Sequence, residues 1–329
     1  MRKVANKTNH YFLKKLSDEL IFPLVSVLVS AKASACSIRV CPAYISLGPL
    51  QKTVLDVALS QVVDKKAKTL EAGCDAVLTA LTLTEINNLK NTFLSQSAAL
   101  DSGNYAIAQV KFDKSVKKLF SDYLYSKLFD NENIWRALGL TQLLRRTFHD
   151  NFRKENNHPS TCPYCDLDTI NSAGNVIIEH ILPKSKFPLL SLHPMNLLSA
   201  CNGCNTPLAK GSKVQPNISS PYKEEIGNAV KFDVQPAMKN LTISSAPPRT
   251  DIDGFLTLVN LKQRYADENT YIQFSRRTEA FVESMTNIGS LNFQDLLSYV
   301  AKLQGGAPLT YALKYWVEHT YIPGKKGGV

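Results

Sequence analysis

A mainly α-helical protein with a small α+β insert is what the sequence predicts, and three observations carry that expectation. Apolar residues recur at three- and four-residue steps through most of the first half and again toward the end of the chain. Residues 162–210 break this period with two Cys-x-x-Cys pairs and short β-like runs rich in neighbouring Pro, Gly and Asn. Beyond residue 211 the composition turns to Pro, Asn and Ser before helical spacing returns. The expected organisation is a mostly helical region over 1–150, a cysteine-paired module over 151–215, and an α+β to helical region over 216–329.

Taking the elements in order, the first 45 residues are ambiguous and could hold extended chain around Ser37 to Ile45. Leu55, Leu59, Val62 and Val63 then mark a helix, followed by a charged patch from Asp64 to Lys68, with Gly73 as its stop. A second helical run leads from Asp75 through Leu81 to Leu89, a third from Ala106 through Val110 and Val116 to Leu124, and a fourth covers Ile134 to Phe148. Strands are expected at Ala229 to Val234 and Leu241 to Ser245, with Pro247 and Pro248 in a loop. Helices follow at Asp253 to Tyr265, Phe274 to Asn287, Phe293 to Leu303 and Tyr311 to His319, and the terminal GKKGGV is expected to fray.

With 329 residues the chain can bury one large core or two or three smaller ones, and its hydrophobic and charged fractions are those of an ordinary soluble globular protein. Its 38 Lys and Arg against 28 Asp and Glu leave a charge of +10, which favours partners that carry phosphate. The segment LIFPLVSVLVS at Leu20 to Ser30 is too short to span a bilayer and follows a long charged stretch. It reads as a buried core segment, and no membrane association is expected.

Seven cysteines are too few and too uneven for a disulfide scaffold. Cys36, Cys41 and Cys74 read as small buried residues. Cys162, Cys165, Cys201 and Cys204 instead supply four soft thiolates, the number and kind that tetrahedral Zn²⁺ takes in a closed structural site. Such a site staples two distant segments and leaves no ligand position for water, so the zinc is not the catalyst. Thiols kept reduced for a metal point to the cytoplasm.

Between the cysteine pairs, Asp166 to Ile170 and Asn175 to Glu179 flank NSAG and predict a hairpin. The second strand ends in Glu179 and His180, and Leu182-Pro183 then forces extended or loop chain. An acid and an imidazole at the end of a hairpin, followed by a loop and a short helix, suit a hydrolase that uses one metal ion.

Taken together, the EHILPKS stretch at Glu179 to Ser185, the asparagine of PMNL at Pro194 to Leu197, and Asn205 directly after the last cysteine resemble the HNH family of ββα-metal nucleases, in its four-cysteine zinc subgroup. The resemblance covers roughly 50 of the 329 residues. It implies a metal-dependent endonuclease acting on DNA, with His180 as general base and a backbone carbonyl orienting its ring. Glu179 and Asn205 would hold one Mg²⁺ or Mn²⁺ through hard oxygen ligands, and Asn196 would pin the loop behind the histidine without touching metal. The resemblance also implies a metal-binding helix near Pro207, where a proline past the first turn distorts helix geometry. Nucleases with a similar core occur in bacterial anti-phage defence systems, some encoded beside an ATPase, which makes such a partner subunit an expectation.

Residues 111–154 hold ten Lys or Arg against five acids, mostly on solvated faces. Within them, Arg145 and Arg146 interleave with Phe148 and Phe152 upstream of the cysteines and are candidates for phosphate contact, as are Lys184 and Lys186 near the acid-histidine pair and Lys210 five residues beyond Asn205. His10, His149, His158 and His319 read as structural; His193 could face the cleft. The alternative reading is a non-catalytic, zinc-stabilised nucleic-acid-binding or assembly subunit, for which the acid-histidine pair and Asn205 would have no chemical use.

Overall fold

Helical spacing near the start of the chain becomes α1 (Lys7–Leu16) and α2 (Phe22–Ala33), joined by a π-helical turn at Ser17–Ile21. The apolar Leu20 to Ser30 stretch is buried core, with Leu24, Val25, Val27 and Leu28 fully enclosed. Described here are residues 1–141, 143–172, 174–288 and 293–320 of a computed structural model. The expected tail at 324–329 and part of the NSAG turn lie outside them. Among the described residues no helix is long and apolar enough to cross a membrane.

The chain folds into two units, each discontinuous in sequence. Asn6–Glu155 and Ile178–Leu198 form a helical unit. Met1–Ala5, Asn156–Ile177 and the described residues from Ser199 onward form the second, which carries the four paired cysteines. The chain passes from one unit to the other within strand β1 (Val176–His180) and returns within β2 (Leu197–Cys201).

In the helical unit, Ser37 to Ile45 is not extended. It forms a 3₁₀ turn at Ile38–Val40 and a short α3 (Pro42–Ile45), because Arg39 is tied to Glu71 at 3.0 Å and to Asp56 at 2.6 Å. Next come α4 (Pro49–Leu59), α5 (Leu70–Ala80) and α6 (Leu83–Asp101). Two boundaries differ from expectation here. Gly73 lies inside α5 instead of ending a helix, since a Cβ there would meet the Tyr123 ring at 2.9 Å. The run from Asp75 to Leu89 is two helices, because Thr82 and Glu85 form a capping box that starts α6.

Residues 106–113 are not helical either; α7 (Lys114–Lys117) begins where the Asp113 side chain accepts from Ser115 N, and continues as a π-helix over Lys118–Leu128. The fourth expected helix is also two, α8 (Glu132–Ala137) and α9 (Arg145–Glu155). Bonds from Gly139 N to Arg136 O and from Leu140 N to Trp135 O close α8 in a Schellman pattern. Leu189, Leu192 and Leu197 of the returning segment join the apolar core built by these helices.

In the second unit, β3 (Val230–Gln235) and β4 (Asn240–Ser245) pair antiparallel, with Phe232 opposite Ile243. Helices α10 (Thr250–Leu258) and α11 (Leu261–Tyr265) split one expected helix at Asn260, which takes a left-handed conformation. Then come α12 (Glu268–Ile288), α13 (Phe293–Leu303) and α14 (Thr310–His319), close to the spans expected from periodicity. The content is mainly α with a small α+β part, as predicted, and the described residues hold two small two-stranded sheets.

Candidate functional site

Cys162, Cys165, Cys201 and Cys204 are all buried, with their sulfurs within 4.8 Å of one another. Sulfur separations of 3.9 Å for Cys162 and Cys204 and 3.8 Å for Cys165 and Cys201 match the ~3.8 Å edge of a tetrahedron with Zn–S bonds of ~2.3 Å. Backbone N–H groups of Leu167 and Cys201 point at the sulfurs of Cys165 and Cys162, at 3.4 and 3.3 Å. These four residues could hold a metal ion such as zinc.

The same unit surrounds the cluster with supports that sequence spacing does not reveal. Arg264 on α11 donates to Cys204 Sγ at 3.2 Å and to Asp168 Oδ2 at 2.7 Å, while Asp168 Oδ2 lies 3.0 Å from Cys201 Sγ. Burial works against the charge of Arg264, but Cys165, Cys204 and Asp168 outweigh it and hold its pKa above the ordinary value. Gly203 makes room for the pair, since a Cβ there would fall 2.4 Å from Asp168 Oδ2. Tyr265 donates its hydroxyl to Cys165 O at 3.0 Å, and Tyr164 stacks on Phe255 of α10 at 5.4 Å.

The expected hairpin partner is displaced. Asp166 to Ile170 is not a strand; Thr169 makes a single bridge to Thr161, and Asp166 adopts φ 57° while its carboxylate accepts from Tyr311 N and Thr310 Oγ1 at the start of α14. Burial pushes the Asp166 carboxyl up to about 6, against these bonds. Strand β1 forms where Val176 to Glu179 predicts, but pairs with β2. Bonds from Asn202 N to Asn175 O and from Ile181 N to Asn196 O, at the two ends, set the strands antiparallel.

Within the helical unit, β1 ends on Glu179 and His180, which are 2% and 7% exposed. His180 Nε2 lies 3.0 Å from Ser191 O, and the Ser191 hydroxyl donates to Phe120 O at 2.9 Å. Asn196, fully buried, ties the intervening loop together: its Nδ2 donates to Leu182 O and Leu190 O at 3.1 and 2.9 Å, and its Oδ1 accepts from Leu182 N at 2.7 Å. His193 faces inward; its Nδ1 accepts from Met195 N at 3.3 Å and its Nε2 is 3.4 Å from Asp101.

Against His180 lies Tyr125 of the Lys118–Leu128 π-helix, with ring centroids 4.5 Å apart and planes at 69°. Arg145 sits over the Tyr125 ring at 4.8 Å and donates to its hydroxyl at 3.0 Å, while Asp130 holds the Nε at 2.8 Å. Lys184 lies 4.7 Å from the same ring and donates to Ser126 Oγ at 3.2 Å. Burial pushes the Tyr125 phenol up; Arg145 opposes this and Glu179 adds to it. Burial lowers Lys184, opposed by Asp122 and reinforced by Arg145. Sequence reasoning found Arg145 and Lys184 but missed Tyr125, which stands in an aromatic run with no distinguishing spacing.

The remaining expected residues divide by exposure. Arg146 is exposed and Lys186 half-buried. Lys210 is 1% exposed, so it is not among the surface cations that could meet a phosphate backbone. Asn205 is exposed and belongs to the cysteine-bearing unit, whereas Glu179 belongs to the helical one. The helix expected near Pro207 does not form as an α-helix. A 3₁₀ turn over Asn202–Asn205 ends at Thr206, whose ψ of 154° is the extended geometry that a following proline imposes, and turns continue to Ser212. No family model, no curated protein and no solved structure matches the chain.

Proposed function

We propose that the chain is a metal-dependent endonuclease that hydrolyses phosphodiester bonds in DNA, by chemistry similar to that of the HNH nucleases. One observation supports this above the rest: the His180 ring is held by the Ser191 carbonyl at 3.0 Å, in a loop that Asn196 fastens with three hydrogen bonds. A carbonyl only accepts, so Nε2 carries the ring proton and Nδ1 is the basic nitrogen of the neutral imidazole. His180 takes a proton from water, the water oxygen bonds to phosphorus, and the bond from phosphorus to the 3′ oxygen breaks. That oxygen leaves with its electron pair and gains a solvent proton, giving 5′-phosphate and 3′-hydroxyl ends. The carboxylate of Glu179 is a hard donor suited to Mg²⁺ or Mn²⁺, which when bound would stabilise charge on the leaving oxygen, and the amide oxygen of Asn205 is a donor of the same kind.

A supercoiled-plasmid assay tests the reading. Nicking or linearisation is expected with Mg²⁺ and none with EDTA, and His180→Ala should lower the rate by ~10²–10⁴-fold with zinc content and melting temperature unchanged. Cleavage by His180→Ala at the wild-type rate would remove the histidine from its role. DNA binding without cleavage in Mg²⁺ or Mn²⁺ would leave the alternative, a non-catalytic zinc-stabilised nucleic-acid-binding or assembly subunit.

A further inference from the structure

The π-helix at Lys118–Leu128 places on one side of His180 a group that the acid-histidine motif does not contain. π-Helical turns are rare and concentrate at functional sites. Here the wide turn is visible in the bond from Ser126 Oγ to Ser121 O, five residues back. Tyr125 on this helix touches the imidazole edge-on and carries two cations against its ring, Arg145 at 4.8 Å and Lys184 at 4.7 Å. Two like charges sharing one ring repel each other, and a bound anion relieves that repulsion.

The donor inventory points the same way. Arg145 has five N–H donors, of which Nε serves Asp130, one of Nη1 serves the Tyr125 hydroxyl and one of Nη2 serves the Tyr125 carbonyl at 3.4 Å, leaving two at the fork. Asp130 offsets one positive charge, while Lys184 donates to a neutral hydroxyl. Glu179 and Asp122 also face this group, so what stands beside His180 is a pair of cationic donors pre-set by packing among carboxylates, a geometry suited to a phosphodiester oxygen.

Resting on the nuclease reading above, we propose that Tyr125, Arg145 and Lys184 form the subsite that seats a nonbridging oxygen of the scissile phosphodiester next to His180. Arg145 presents its two remaining N–H groups, Lys184 contributes charge, and the Tyr125 hydroxyl, already accepting from Arg145, turns its own hydrogen to the same oxygen. The helical unit thus supplies the substrate-binding half of the chemistry, and the cysteine-bearing unit is not needed for this contact.

Full-length chain is compared with Tyr125→Phe, Arg145→Lys and Lys184→Gln, using plasmid cleavage in Mg²⁺ and, with EDTA, binding of a fluorescent 20-base-pair duplex across a salt series. Tyr125→Phe keeps the ring on His180 and should lower kcat by ~10-fold with KM unchanged, because only the hydroxyl is lost. Arg145→Lys keeps charge but not the fork, and a ~10²-fold loss in kcat is expected. Lys184→Gln should raise KM and reduce the salt slope of binding by about 1. Wild-type kcat, KM and salt slope in all three variants would overturn the subsite while leaving the nuclease reading intact. A wild-type chain that binds the duplex without cutting would overturn the nuclease and the scissile-phosphate subsite together, with a reduced salt slope in Lys184→Gln then marking a phosphate contact only; a chain that neither binds nor cuts overturns both.

Discussion

Asn196 satisfies two carbonyls and one N–H across a loop from which water is excluded, so each lost bond leaves a buried group unpaired. Asn196→Ala should cost roughly 2–4 kcal/mol in chemical denaturation, above the cost of a typical surface change. Asn196→Asp should be no better, because it places a carboxylate against two carbonyl oxygens. At the cysteine cluster Arg264 plays a comparable part by charge. Its guanidinium is the cation placed against Cys204 and Asp168, and Arg264→Ala should speed zinc release to a colorimetric chelator by ~10-fold or more. Arg264→Lys should fall between the two, and equal release rates in all three chains would remove that role.

At the scale of elements, α5 depends on the absence of a side chain. Alanine is the better helix former, yet Gly73→Ala puts a Cβ 2.9 Å from the Tyr123 ring, so the variant should lose roughly 1–3 kcal/mol where propensity alone would give a gain of ~1 kcal/mol. That glycine shows why the sequence gives helix existence more readily than helix ends. A stop signal and a close-packing site use the same residue, and only the partner tells them apart. The four thiols were legible because their spacing is local chemistry, and β1 because Val176 to Ile178 is a strongly β-forming run. The partner of β1 was not. The stretch LLSAC at Leu197 to Cys201 is buried at every position and so lacks alternation, while Asp166 to Ile170, the neighbour in sequence, is drawn away by the Asp166 contacts at α14. For the same reason Tyr125, Asp168 and Arg264 went unseen: nothing in their own surroundings marks them, and Arg264 meets Cys204 across 60 residues.

On the scale of the whole molecule, acid should weaken the helical unit through its buried histidines. Burial lowers His10, His149 and His193 from 6.5 to about 4, only partly opposed for His10 by Glu155 and Asp101, for His149 by Asp150, and for His193 by Asp101. The unfolded chain therefore binds more protons than the folded one between these limits. Stability from these histidines is complete above about pH 6.5 and falls as pH drops toward about 4, by on the order of 3 kcal/mol for each. Melting temperature recorded from pH 7.5 to 4 should decline over that window, and the His149→Gln variant should decline less steeply. A flat profile would mean that the rings take up protons in the fold as readily as in the unfolded chain.

The last two crossings of the chain between units, within β1 and within β2, have a consequence for synthesis on the ribosome. Residues up to 155 make most of the helical unit, but Leu189, Leu192 and Leu197 are still missing from its core, so that core stays open while residues 156–177 of the other unit emerge. Cys204 appears only six residues after Leu198 completes the helical unit, and the set of four thiols is then ready for metal. Arg264 is another 60 residues away, which at ~5–20 residues per second is a delay of ~3–12 s. For those seconds the nascent thiols are exposed to oxidants and competing metals without the cation that later stands against Cys204.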